Sequence, residues 1–147
     1  MNASTHQTGE DIKALLKEWQ QGLLAKDADR MTRHYSEHVV FYDATPPLQH
    51  HGIEAYRRSW ELIFPHLPDK LDFEAYDSDI TVSGDLAVVH FLNRLIDANT
   101  KDSATCGWVR VTVCFKRMDD GQWKVVHEHV SIPFDPMSGK AVFTHQI

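Results

Sequence analysis

Around Pro65 the hydrophobic pattern of this chain changes period: before it apolar residues recur at intervals of three and four, and after it they alternate. The first pattern belongs to helices with one buried face, the second to half-buried strands. Helices grouped ahead of an antiparallel meander specify an α+β fold, with the helices laid across one face of a strongly curved sheet. A chain of 147 residues, 42% of them hydrophobic, is long enough for a real core and too short for two. Residues 1–147 are read as a single domain, with a flexible lead over 1–8 and a tail over 133–147.

Three helices are predicted. From Asp11 to Lys26, Ile12, Leu15, Leu16, Trp19 and Leu23 share one face, and Thr8 with Asp11 offers a capping-box start. Asp27 reads as the N-cap of a short second helix carrying Met31 and Tyr35. An alternating stretch from His38 to Asp43 is stopped by Pro46 and Pro47, and a third helix from about Ile53 to Phe64 sets Ile53, Tyr56 and Trp60 along one side. Strands are then predicted over Leu71–Asp77 with Ile80–Ser83, Leu86–Ile96, Cys106–Arg117 and Gln122–Ile132. Gly84 with Asp85, Asn99 to Asp102, and Asp119 to Gly121 supply the turns.

Charge and composition exclude several classes. The net charge of -6, with fifteen Lys and Arg scattered along the chain, leaves no basic stripe for a phosphate backbone, so no nucleic acid partner is expected. No run approaches the roughly twenty consecutive apolar residues of a membrane span, and MNASTHQTGED has neither a basic nor an apolar region. A cytoplasmic protein is expected. Cys106 and Cys114 lack CxxC spacing and, on one strand, would stand too far apart to bridge, so they read as reduced thiols.

The blocks LLAKDADRMTRHYSEHVVFYDATPP, HHGIEAYRRSWE, GWVRVTVCFKR and DGQWKVVHEHVSIPFDP, in this order and spacing, carry a resemblance over nearly the whole chain. It resembles the SnoaL-like, ketosteroid-isomerase-like branch of the nuclear transport factor 2 (NTF2-like) superfamily. The resemblance implies a cone in which three N-terminal helices and a bent, mainly antiparallel sheet enclose one pocket, with no metal and no cofactor. It constrains function less, because the superfamily hosts isomerases, dehydratases, epoxide hydrolases, polyketide cyclases and proteins without known chemistry.

Candidate site residues follow from the strands. In WKVVHEHVSIPF, His127, His129 and Ser131 share one side and Val126, Glu128 and Val130 the other. With the last strand as a wall of the cone, His127 and His129 are read as the polar floor of the pocket, meeting Asp43 and the Trp19, Tyr56 and Trp60 side of the helices, and Glu128 as outward. Neutral imidazoles suit proton shuttling or orientation of a carbonyl. Asp43, on the face of Val39 and Phe41, holds a position similar to that of the general-base aspartate of ketosteroid isomerases; the alternative is a cap for the turn into Thr45, Pro46 and Pro47.

A true ketosteroid isomerase is not expected. Those enzymes stabilise their dienolate with a tyrosine and a protonated aspartic acid, whereas the matching places here fall at about Trp19 and near Val111 or Val113. An enolate would have to rely on His127, His129 or Arg110. Trp108, Arg110, Thr112 and Cys114 share one face of their strand, and Val109, Val111, Val113 and Phe115 the other; only one face can line the cone. Facing in, Arg110 would pin a carboxylate or enolate; facing out, it would join a salt bridge across a sheet-to-sheet dimer. Tyr35, Phe41, His90 and Trp108 complete the candidate pocket residues. Two histidines at i and i+2 on a strand form half a metal site; Asp43, His90 or the His50 and His51 pair could supply a further ligand, but nothing in the spacing demands it and the resemblance implies no metal, so none is expected.

The expected function is binding of a small apolar or cyclic ligand, with proton-transfer chemistry of the isomerase, dehydratase or cyclase kind through Asp43, His127 and His129. A non-catalytic ligand-binding protein and a dimerisation or protein-interaction module are the alternatives. A homodimer through the outer face of the sheet is expected, because that face still carries aromatic and β-branched residues.

Overall fold

The computed structural model describes residues 3–144. Helix α1 (Ala3–Leu24) leads into α2 (Ala28–Thr32), β1 (Tyr35–Tyr42), β2 (His50–His51) and α3 (Ile53–Ile63), which ends in a 3-10 turn over Phe64–His66. The meander follows as β3 (Leu71–Ser83), β4 (Leu86–Asp97), β5 (Val109–Arg117) and β6 (Trp123–Ser131). A small hairpin of β7 (Phe134–Asp135) and β8 (Lys140–Ala141) comes last. The main sheet runs β2-β1-β6-β5-β4-β3, antiparallel except where β1 lies parallel beside β6. This is the α+β architecture expected from the change of period.

The boundaries that differ have local causes. α1 begins at Ala3, so residues 3–8 are helical where a flexible lead was expected, and Met1 and Asn2 lie outside the described residues. Thr8 does not cap the helix: its hydroxyl donates to the Ser4 carbonyl at 3.0 Å, while Gln7 and Asp11 pair at 3.0 Å one turn apart. Asp27 does cap α2, accepting the Arg30 N–H at 3.1 Å. Tyr35 opens β1 instead of extending α2, because β6 captures the chain there, with the Val125 N–H donating to the His34 carbonyl at 2.8 Å. β5 starts at Val109, not Cys106, since Gly107 takes φ +120 and breaks the extended run. Cys106 is therefore exposed in a loop, and Cys114 is half-buried.

The predicted faces do the packing. Ile12 and Leu23 of α1 are fully buried, and Trp19 meets Trp60 and Phe73 edge-on at 6.0 Å each. Such aromatic pairs contribute about 0.5–1.5 kcal/mol beyond their buried area. On the concave side of the sheet Val89, Val113, Phe115 and Val125 are all but inaccessible to solvent. The tail turns back on the chain, where the Trp108 N–H donates to the Phe143 carbonyl at 3.1 Å and a side chain on Gly107 would collide with Phe143. Among the described residues no helix is long and apolar enough to cross a membrane.

Candidate functional site

A cavity of about 510 Å³ lies inside the cone, in the range of ordinary small-molecule pockets. Its chemistry is decided by β6. Trp123 and Val125 point into the core, and unbroken alternation from them would turn His127 and His129 inward. The register prevents this: Phe115 pairs with Val125 and Cys114 with His127, so Val126 is an extra residue with no partner on β5. A bulge of this kind reverses the phase of the strand.

Glu128 and Val130 therefore line the cavity, and His127 and His129 do not. The inward orientation expected for the two histidines and the outward one for Glu128 are both corrected. On the outer face His127 and His129 stand edge-on to Tyr42, at 4.8 Å and 5.2 Å. The Nδ1 of His127 lies 2.7 Å from the Val40 carbonyl, a donor to the neighbouring strand.

Glu128 is 7% exposed and is held by a chain of hydrogen bonds. The Trp19 indole N–H donates to the Tyr56 hydroxyl at 2.9 Å, the Tyr56 and Tyr35 hydroxyls are 2.9 Å apart, and Tyr35 donates to Glu128 Oε1 at 2.6 Å. Tyr56 also approaches Oε1, at 3.5 Å. The two phenols stack at 4.4 Å, one contributed by the start of β1 and one by α3. Among the described residues no hydrogen bond reaches Oε2.

This environment shifts the protonation of all three groups. Burial pushes the Glu128 carboxyl up to about 7, opposed by the Tyr35 hydrogen bond and assisted by the charge of Asp43. Burial, reinforced by the Glu128 charge, holds both phenols well above the usual tyrosine range, so they remain donors. The result is a carboxyl that exchanges its proton near neutrality in an apolar enclosure, with one oxygen fixed and the other free.

Of the residues singled out in the sequence, Trp19, Tyr35, Phe41, Tyr56 and Trp60 line the cavity, and Asp43 stands at its rim. Asp43 is exposed and also caps its own turn, accepting from the Ala44 N–H at 2.7 Å and the Thr45 hydroxyl at 3.3 Å. His90, Trp108 and Arg110 are absent from the lining: on β4 Val89 and Phe91 take the inner face on either side of His90, and on β5 Val109, Val111, Val113 and Phe115 take it. Arg110 donates to the Ser131 hydroxyl at 3.0 Å, His90 lies 3.7 Å from Asp79, and Trp108 lies beneath the Arg94 guanidinium at 5.2 Å. Among the described residues no three His, Cys, Asp or Glu side chains gather as metal ligands do.

Sequence reasoning missed Glu128. The signal was its company: Glu128 shares its alternate set with Val126 and Val130, while His127 and His129 share theirs with Ser131, and the more apolar set is the one a sheet buries. Glu128 is the cross-strand partner of Val113, one of the two places at which the acid of the resembled enzymes was sought.

The model of the SnoaL-like domain matches residues 12–135. The chain belongs to this family. An NTF2-like protein of unknown function from Pseudomonas putida KT2440 is 33% identical, with a TM-score of 0.86 over 97% of this chain and 98% of that one. A candidate dehydratase of the NTF2-like family from Streptomyces avermitilis is 18% identical, with a TM-score of 0.71 over 86% of this chain and 97% of that one. A candidate ketosteroid isomerase from Parabacteroides distasonis ATCC 8503 is 21% identical, with a TM-score of 0.65 over 86% of this chain and 87% of that one. The last two likenesses are of fold. No curated protein matches the chain. Within this SnoaL-like fold the buried acid sits on the last strand of the meander, and the first helix contributes the Trp19 indole to its hydrogen-bond chain.

Proposed function

We propose that the protein binds a small apolar carbonyl compound in the cone and moves one of its protons through Glu128, in the manner of an isomerase or dehydratase. The observation that carries this reading is the state of the Glu128 carboxyl: buried, tuned to about 7, tied through Oε1 to two tyrosines and, among the described residues, unengaged at Oε2. A general acid–base group is most effective when its proton affinity lies near the working pH. Asp43 takes a secondary role, as the rim charge that raises the proton affinity of Glu128.

The steroid-isomerase mechanism gains no support. The hydroxyl protons of Tyr35 and Tyr56 are committed to each other and to Glu128, and His127, His129 and Arg110 lie off the cavity. The reaction proposed is a simpler one, in which a single carboxyl takes a proton from carbon and returns it. A second copy of the chain is proposed to cover the outer face of the sheet, where Leu86 and Val88 of β4 and Tyr42 of β1 remain exposed.

The test is exchange of the α-protons of 4-phenylcyclohexanone with D2O, followed by NMR. Exchange is expected to depend on the protein, to rise with an inflection near pH 7, and to fall about a hundredfold or more in Glu128→Gln. Binding without exchange would leave a ligand carrier, and exchange that survives in Glu128→Gln would rule Glu128 out as the proton carrier.

A further inference from the structure

On β4, β5 and β6 the residues that line the cavity are aliphatic or aromatic but for three, Glu128, Asn93 and Arg94, and the Arg94 guanidinium is engaged by Glu74 at 2.6 Å. Asn93 is 9% exposed, and its Oδ1 is buried with no hydrogen-bond partner among the described residues. It sits mid-sheet, paired with Ala75 of β3 and Val109 of β5, with its side chain on the same face as Val89 and Phe91. A buried acceptor left without a donor is destabilising and uncommon, and an aliphatic side chain would fill the position without that cost.

We propose that Asn93 is a second polar anchor for the cavity ligand. Its Oδ1 accepts a hydrogen bond from a hydroxyl or N–H at the end of the molecule remote from the carbon on which Glu128 acts. This rests on the reading of Glu128 given above and adds to it the substrate class. Register sets the reach required. Glu128 is level with Val113, and Asn93 is level with Val109, two strands from β6. At the usual strand dimensions the two backbone positions are roughly 13 Å apart along the strands and roughly 10 Å across them, and both side chains reach inward across a concave sheet. A single ring cannot touch both groups. The ligand is an apolar carbonyl compound of two or more rings, or of equal length, with a hydrogen-bond donor at its far end.

The donor requirement makes the proposal sharp, because a site with a buried acceptor rejects an analogue that leaves it unpaired. The probes are 4-(4-hydroxyphenyl)cyclohexanone, which can donate, and its methyl ether, which cannot. Binding is read from the fluorescence of Trp19 and Trp60, and α-proton exchange by NMR, in wild type, Asn93→Leu and Glu128→Gln. Wild type is expected to bind the phenol about tenfold more tightly than the ether. Asn93→Leu is expected to bring the two within about twofold and, without ligand, to melt roughly 2–4 °C higher, since the unpaired acceptor is gone. Glu128→Gln is expected to lose exchange yet keep the preference for the phenol. A preference that survives in Asn93→Leu, equal binding or no binding by wild type, or a lower melting temperature in Asn93→Leu overturns the anchor. Exchange that survives in Glu128→Gln overturns the proton-transfer reading and leaves the anchor standing.

Discussion

The floor and the rim of the cavity each carry one carboxylate, and the two have little else in common. Asp43 at the rim is exposed and satisfied by its own turn, through Ala44 and Thr45. Glu128 on the floor is buried and satisfied by residues remote in sequence, Tyr35 and Tyr56. Local hydrogen bonds make a turn, whereas hydrogen bonds gathered from β1 and α3 onto β6 make a site. The difference teaches that a carboxylate acquires chemistry through what surrounds it, and the surroundings here are tertiary.

The sharpest way to break this comparison is through rate. Glu128→Gln is expected to cost about a hundredfold or more in exchange of the cyclohexanone probe, while Asp43→Asn costs less than about tenfold; the same NMR assay measures both. Equal losses would erase the distinction between floor and rim.

The next largest effect is on stability. Glu128 holds its proton more tightly in the folded chain, at about 7, than its ordinary value of 4.5, so folding takes up a proton between those limits. Stability therefore falls as pH rises from about 4.5 to about 7, and Glu128 adds no slope outside that window. Glu128→Gln is expected to flatten this slope and to be more stable than wild type at pH 8 by about 2–3 kcal/mol, as urea melts across that range will show.

A change of about 1–3 kcal/mol is expected from Tyr35→Phe, which removes the closest donor to Glu128 and leaves Tyr56 one partner short. The same substitution raises the proton affinity of Glu128 further, so the loss is greater at pH 8 than at pH 5. Melts at the two pH values distinguish this from a simple packing defect, which would cost the same at both. The smallest effect is expected on the outer face. His129→Ala should change stability by about 0.5 kcal/mol or less and leave the Glu128 titration, followed by carbon-13 NMR, unmoved. A displaced Glu128 titration in that variant would mean that the two faces of β6 communicate.

Most of the fold was legible in the chain itself. The period change at Pro65, the cap at Asp27 and the glycine- and aspartate-rich turns are all local signals, and α1, α3 and the four strands of the meander appear where those signals lie. The aromatic lining was legible too, because Trp19, Tyr56 and Trp60 fall on helix faces that must be buried. These features follow from the 3.6-residue and two-residue repeats of the backbone, which any window of sequence displays.

What only the tertiary structure decided is the polarity of the floor. One bulge at Val126, visible only in the pairing of β5 with β6, exchanges Glu128 for His127 and His129 inside the cone. The same holds for Tyr35, which leaves its expected helix because β6 offers β1 a parallel partner, and so comes within 2.6 Å of Glu128. The physical reason is the same in both cases: a side chain's face is local information only while the strand keeps step with itself, and whether it does is settled by the strand beside it.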